Sequence, residues 1–381
     1  MTTALSAARR NVFVERHDHL RAQVRSFLTA EVLPDYANWI VAGRPPDWFF
    51  RRIGELGVLG IGVPVEHGGT ADWDFRDSVV VTEEIQRLGL AIGGLRVHTD
   101  ICIPYLLRFG SEVQLGEWLP KMVNGDVVAA LALSEPGAGS DLKSMRTSAI
   151  RDGDHYIVNG SKTFISNGSI AGLVILAVKT DLAAGRDGIS LLLVDPRAAG
   201  FERGRKLDKL GLHAQDLAEL SFTDMRIPIE NLLGRENEGF GYLTANLAAE
   251  RLSIAVNSQA AASSVLEWTV KEVAGAKVTQ KAKFVIAECA TDIAAGQALV
   301  DQAIVDLVHN RLEPSAAAAA KLYCTELQGR VVSACWSLHP AEITGRGDSL
   351  ITRALLDARV SRIYGGSSEI MKVIVSHGLG L

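Results

Sequence analysis

Cysteine is scarce in this 381-residue chain: Cys102, Cys289, Cys324 and Cys335 stand alone, with no CxxC spacing. The histidines near them form no zinc-ligand pattern, which argues against a disulfide framework and a structural metal site. No apolar run approaches the roughly 18 residues that span a bilayer, and runs such as Leu173–Val178 are only strand-sized. Positive charge is not in excess either, since 39 Lys and Arg face 44 Asp and Glu for a net charge of −5. Nucleic acid and anionic membrane both need clustered positive charge, so neither is expected as the main partner. The opening MTTALSAARRNVF carries two arginines but no apolar core, so no secretory signal is expected. Its basic character is weakly that of a transit peptide. An ordinary helical start in a reducing, cytoplasmic compartment is the expectation.

What is present is the balance of an ordinary globular protein, 48% hydrophobic and 22% charged, long enough for two or three structural units. Hydrophobic periodicity divides the chain in three. Residues 1–125 read as helical, with apolar spacing of three and four over His17–Val32, Trp48–Leu59, Phe75–Leu88, Ile101–Phe109 and Gln114–Val123. Residues 126–233 change period: Val127–Leu133, Leu173–Val178, Ile189–Val194 and Leu217–Phe222 read as strands. His155–Ile165 alternates around Asn159-Gly160, a favoured hairpin turn. A small antiparallel β domain is expected there. Residues 234–381 return to long alanine-rich helices over Tyr242–Val273, Lys281–Arg311, Ser315–Leu338 and Leu350–Ile363, the pattern of a four-helix bundle. The fold class is therefore α+β, in the order helices, sheet, helices.

Two segments of the middle block carry chemistry. Leu131-Ala-Leu-Ser-Glu-Pro-Gly-Ala-Gly-Ser-Asp141 follows a strand with a glycine-rich turn, whose free amides suit a phosphate or a flavin carbonyl. It lacks the GxGxxG fingerprint and any strand–helix–strand setting, so a Rossmann site is disfavoured. Asn159-Gly-Ser-Lys-Thr-Phe-Ile-Ser-Asn-Gly168 presents Phe164 beside Ser166, a ring and a hydroxyl donor that suit a flavin face and edge. Taken alone, Phe164 reads as core. Near the C-terminus, Tyr364-Gly-Gly-Ser-Ser-Glu369 is an aromatic followed by a glycine turn.

These three segments, in this order and across the whole chain, resemble the signatures of the acyl-CoA dehydrogenase family, whose α–β–α domain order also agrees. The resemblance implies an FAD-dependent enzyme that converts an acyl thioester to its trans-2-enoyl product, within fatty acid metabolism. It places Leu131, Leu133, Ser134, Phe164 and Ser166 against the flavin, and Ser367 and Glu369 on the adenosine half of FAD. Ser140, Arg251, Tyr364 and Gly365 fall on substrate positions, with Gly139 beside Ser140. Many family members carry the catalytic Glu directly after the C-terminal aromatic, where this chain has Gly365. The long-chain and isovaleryl branches place it in a Glu-Arg pair on a helix of the last domain, which Glu250-Arg251 matches. Apolar neighbours Leu247, Leu252 and Ile254 would desolvate Glu250 and raise its pKa, as a base for a weak carbon acid needs. Arg251 is expected to orient Glu250 or the substrate, and the amide of Gly365 to hold the thioester carbonyl.

Two segments depart from the family pattern. Val273–Gln280 lacks the family's Arg-x-x-Phe and keeps only Gln280, and Ser337–Gly345 has Pro340-Ala341 where paired glycines are usual. Both bear on the part of the FAD site shared between subunits. The resemblance implies a homodimer or homotetramer, electron-transfer flavoprotein as acceptor, and CoA or an acyl-carrier protein as the thioester's carrier. The departures leave open a partner-dependent or non-catalytic subunit of a hetero-oligomer, and a flavin oxidase or oxygenase is a third reading.

Overall fold

The computed structural model describes residues 10–273, 277–339 and 349–381. Pro340-Ala341 and residues 274–276 of the two departing segments lie outside the described residues.

The first third is helical: α1 (Glu15–Phe27), α2 (Tyr36–Ala42), α3 (Asp47–Glu55), α4 (Phe75–Arg87), α5 (Gly93–Arg96), α6 (Ile103–Phe109) and α7 (Glu112–Val123). The caps explain the starts. Asp74 accepts the Arg76 N–H at 2.8 Å while Asp77 accepts the Asp74 N–H at 2.8 Å, and Ser111 with Gln114 repeats this reciprocal pairing on α7. Two stretches are wound as π-helix, Leu28–Val32 and Val97–Cys102, the second running directly into α6. Leu20, Phe27, Trp39, Phe49 and Leu59 fill the core of these helices.

The middle third is one sheet in the order β6-β7-β3-β2-β4-β5-β8, with β1 also on β4. The strands are β1 (Ala129–Ala132), β2 (Ser148–Asp152), β3 (His155–Ser166), β4 (Leu173–Lys179), β5 (Ile189–Val194), β6 (Phe201–Lys206), β7 (Leu217–Pro228) and β8 (Leu232–Leu233). Pairing is largely antiparallel, as expected, with β1 joining β4 in parallel. Asn159-Gly160 is no hairpin turn. β3 runs straight through it, the reversal from β2 is made at Gly153, and Gly160 sits at an irregularity opposite β7. A Cβ on Gly160 would fall 2.5 Å from Thr147 Oγ1, so the glycine serves a close approach. β4 and β5 are buried on both faces. Leu173, Ile175 and Leu191 meet α6 and α7, while Val174, Leu176 and Leu192 meet Tyr156, Val158 and Phe222 of β3 and β7.

The last third holds α8 (Gly239–Val273), α9 (Gln280–Val308), α10 (Pro314–Trp336), α11 (Leu350–Asp357) and α12 (Ser368–Gly378). Small residues Ala255, Ala262 and Ala320 lie fully buried where α8 and α10 approach closely. The run expected as helix to Ile363 stops at Asp357, passes through a 3-10 turn, and gives way to a glycine turn before α12. Among the described residues no helix is long and apolar enough to cross a membrane.

Candidate active site

Glu250 lies on the stretch of α8 that faces α6. Its side chain is 7% exposed, and Tyr105 Oη donates to Oε1 at 3.0 Å. Burial pushes the carboxyl up to about 7, opposed by the Tyr105 hydrogen bond and the Arg251 charge. Cys102, fully buried beside it, has its thiol pushed up by burial and by the Glu250 charge. Arg108 ties the same faces together, donating to Ala245 O at 2.9 Å and Asn246 Oδ1 at 3.0 Å. Phe109 stacks on Tyr242 with centroids 4.0 Å apart.

Arg251 is buried as well, and its Nε finds no hydrogen-bond partner among the described residues. Neighbouring residues on a helix point about 100° apart, and it is Tyr105 that holds the Glu250 carboxylate, not Arg251. Lys321 of α10, fully buried, donates to Gly366 O. Burial first, and then the Arg251 charge, bring its ammonium down to about 8. The lysine thus pins the glycine turn, where Gly365 and Gly366 both adopt left-handed backbone, φ +64° and +96°. A Cβ on Gly365 would lie 2.1 Å from Ile254 Cδ1, so the turn rests on the α8 face one turn beyond Glu250. Glu250, Ile254, Gly365 and Tyr364 are thereby brought to one place.

Across the chain, the loop after β1 is stitched to β3. Lys162, fully buried, donates to Glu135 Oε1 at 2.9 Å and Leu133 O at 3.0 Å. Glu135 also accepts the N–H groups of Arg146 and Thr147 at 2.7 and 3.0 Å. Burial brings Lys162 down to about 8 against the pull of Glu135. Thr163 N–H reaches Ser134 O at 2.9 Å. Phe164 follows with φ +59°, at a shift in the β3–β7 register, and is 65% exposed. Strict alternation from Tyr156 and Val158 would turn this ring inward; the bulge turns it out, so it is no core residue. Ser166 Oγ accepts from Gln215 Nε2 at 3.1 Å.

The remaining candidates divide. Leu131 lies in β1 opposite Ile175, half-buried. Gly139 and Ser140 stand exposed on the loop. Ser367 caps α12 through Ile370 N–H, and exposed Glu369 in the first turn has its carboxyl held low by Ser367. Ser368 donates to Glu326 at 2.6 Å, anchoring the same turn to α10. Sequence reasoning missed Tyr105, Lys321 and Glu135. Tyr105 is 145 positions from Glu250 and leaves no local signal, whereas Lys162 at an inward strand position is a readable sign of a buried partner.

Family models described as the acyl-CoA dehydrogenase N-terminal, middle and C-terminal domains match residues 14–126, 130–225 and 237–380. The chain belongs to the acyl-CoA dehydrogenase family. Its relatives are oxidoreductases acting on CH–CH bonds. The long-chain specific acyl-CoA dehydrogenase of Sus scrofa mitochondria is 40% identical over 379 residues, covering 96% of this chain and 87% of that protein. The crystal structure of an acyl-CoA dehydrogenase from Geobacillus kaustophilus superposes with a TM-score of 0.95 at 41% identity, covering 98% and 100% of the two chains. A glutaryl-CoA dehydrogenase from Mycobacterium smegmatis, solved in complex with FADH2, superposes with a TM-score of 0.88 at 25% identity, covering 97% and 95%. Family members are FAD-dependent flavoproteins.

Proposed function

We propose that this chain dehydrogenates an acyl-CoA thioester between Cα and Cβ, with Glu250 as the base that takes the α proton. One observation carries the reading: a carboxylate buried enough to titrate near 7 stands where Ile254 and the Gly365 turn meet. Such a group is half-ionised at neutral pH and strong enough to deprotonate a carbon acid once the neighbouring carbonyl is polarised. The Gly365 amide suits that task, and Lys321 holds the turn that presents it.

The residues present fit FAD. Phe164 offers an exposed ring on a strained backbone, and its edge neighbour Ser166 carries a hydroxyl. Because Lys162 takes the Leu133 carbonyl, the Ser134 N–H of the same trans peptide points the opposite way, away from the Lys162–Glu135 pair. Leu131, Leu133, Ser134, Phe164 and Ser166 would hold the ring, and Ser367 and Glu369 the adenosine half. FAD, when bound, supplies the acceptor for the β hydride. Ser140, Arg251 and Tyr364 are proposed substrate positions, with Arg251 acting through its charge on Glu250. Relatives at 38–40% identity are long-chain specific, which supports a long acyl chain; electron-transfer flavoprotein as acceptor and a homo-oligomer as the assembly belong to the same proposal. Anaerobic mixing of the purified flavoprotein with acyl-CoAs of increasing length tests the reading: flavin bleaching supports it, and a flavin unchanged by every member overturns it.

Two predictions follow from the geometry. Tyr105→Phe removes the donor that favours the charged form of Glu250, so its pKa rises above about 7. The base works deprotonated, so the acid limb of kcat/KM moves to higher pH by up to about one unit, while the rate well above both values changes little. An unmoved limb would separate Tyr105 from the base. Gly365→Glu in a Glu250→Gln background is expected to stay inactive, because Ile254 occupies the Cβ position and φ +64° disfavours any side chain. Adding Ile254→Ala is the step expected to restore measurable turnover.

A further inference from the structure

On α8 the spacing Glu250, Ile254, Asn257, Ala261, Val265, Trp268 keeps to one helix face. The face that carries the base therefore continues, two turns or roughly 10 Å along the axis, into the wall of a narrow cleft. That cleft is lined by Asn257, Ala261, Val265 and Trp268 of α8, by Leu350 and Asp357 of α11, and by Tyr364 next to Gly365. Leu90, Ala261, Val265 and Leu350 give it an apolar side along which a hydrocarbon tail leaving the reacting carbons can lie.

The cleft is not wholly apolar. Gln86 Nε2 donates to Asn257 Oδ1 at 2.9 Å on one wall. From α10, Gln328 lines the same cleft, 5% exposed, with Oε1 buried and without a hydrogen-bond partner among the described residues. A buried amide oxygen left unmatched is costly, and an alkane cannot relieve it. A hydroxyl or amide N–H on the passing chain can.

We propose that this cleft receives the acyl tail and that Gln328 accepts a hydrogen bond from a donor the tail carries, so that the substrate class includes acyl thioesters hydroxylated along the tail. The inference rests on the dehydrogenase reading for the direction in which the tail enters.

The test uses the holoprotein and pairs of unreactive S-alkyl-CoA thioethers, plain and terminally hydroxylated, over a series of chain lengths. At the length that reaches Gln328 the hydroxylated member is expected to bind about tenfold tighter, one hydrogen bond's worth, and Gln328→Leu to abolish that preference. In an apolar tunnel the hydroxyl would instead weaken binding at every length. Plain chains binding better throughout, or a preference unchanged in Gln328→Leu, would overturn the proposal and leave Oε1 to a water. Should Gln328→Leu not accumulate as a flavoprotein, Gln328→Met, closer in length and shape, makes the same comparison. The corresponding thioesters separate the two readings. Discrimination among thioethers with no bleaching by any thioester supports the cleft and sinks the dehydrogenase, whereas bleaching without discrimination does the reverse.

Discussion

Glu250→Gln is expected to yield a yellow protein with its full complement of flavin, in which reduction by an acyl-CoA slows about a hundred- to ten-thousandfold. The amide has the shape of the carboxyl and its oxygen can still accept from Tyr105, so the packing around Cys102 and Asn246 survives. What disappears is the ability to take a proton at that place. The family's other location for a carboxylate is Gly365, pressed against Ile254. Stopped-flow absorbance in the flavin band gives the comparison. Bleaching at the wild-type rate would place the base elsewhere and reduce Glu250 to a buried structural acid.

Glu135→Leu is expected to be the most damaging single change outside α8. It strands the Lys162 ammonium with no anion, and it removes the acceptor for the amides of Arg146 and Thr147. Breaking a buried pair on one side costs about 3–5 kcal/mol, readable as a lower urea midpoint. The deficit has a sign in pH. Without Glu135 the folded-state pKa of Lys162 drops further below the ordinary 10.5, so the penalty of shedding its proton grows on acidification and shrinks as pH rises toward that value. Lys162→Met in the same background is expected to recover part of the loss. A single variant as stable as the wild type would mean that water reaches Lys162.

Much of the helical framework was legible because amphipathic spacing survives in sequence: α1, α4, α7 and the long α8 to α10 all begin and end within a few residues of the periodic runs. The strands β4 and β5 were equally plain as continuous apolar runs. What failed was punctuation. Asn159-Gly160 carries hairpin chemistry, yet Asn159 bonds Asp224 on the neighbouring strand and the chain keeps going. β6, nearly all exposed, has no apolar signature to find, and α12 follows a glycine turn that reads as a stop. For the site, Glu250 could be picked out by the resemblance and its apolar neighbours. Its partners across the helix interface could not: Tyr105 holds the carboxylate from α6 and Lys321 holds the Gly365 turn from α10, and nothing local in the sequence marks a residue whose role is defined by what lies across a packed interface.

The π-helical stretch Val97–Cys102 puts an angular spacer into that interface. One surplus residue in a helical turn offsets everything downstream by about 100°, and the first element downstream is α6 with Tyr105. Within the stretch, Asp100 gathers the hydroxyls of Ser78, Thr99 and Ser253, which locks the offset against α4 and α8. Deleting a single position there would hardly shorten the protein. It would swing the phenol roughly a quarter-turn off the carboxylate, so the protonation behaviour of one acid is written partly in the winding of a helix some 150 positions earlier in the chain.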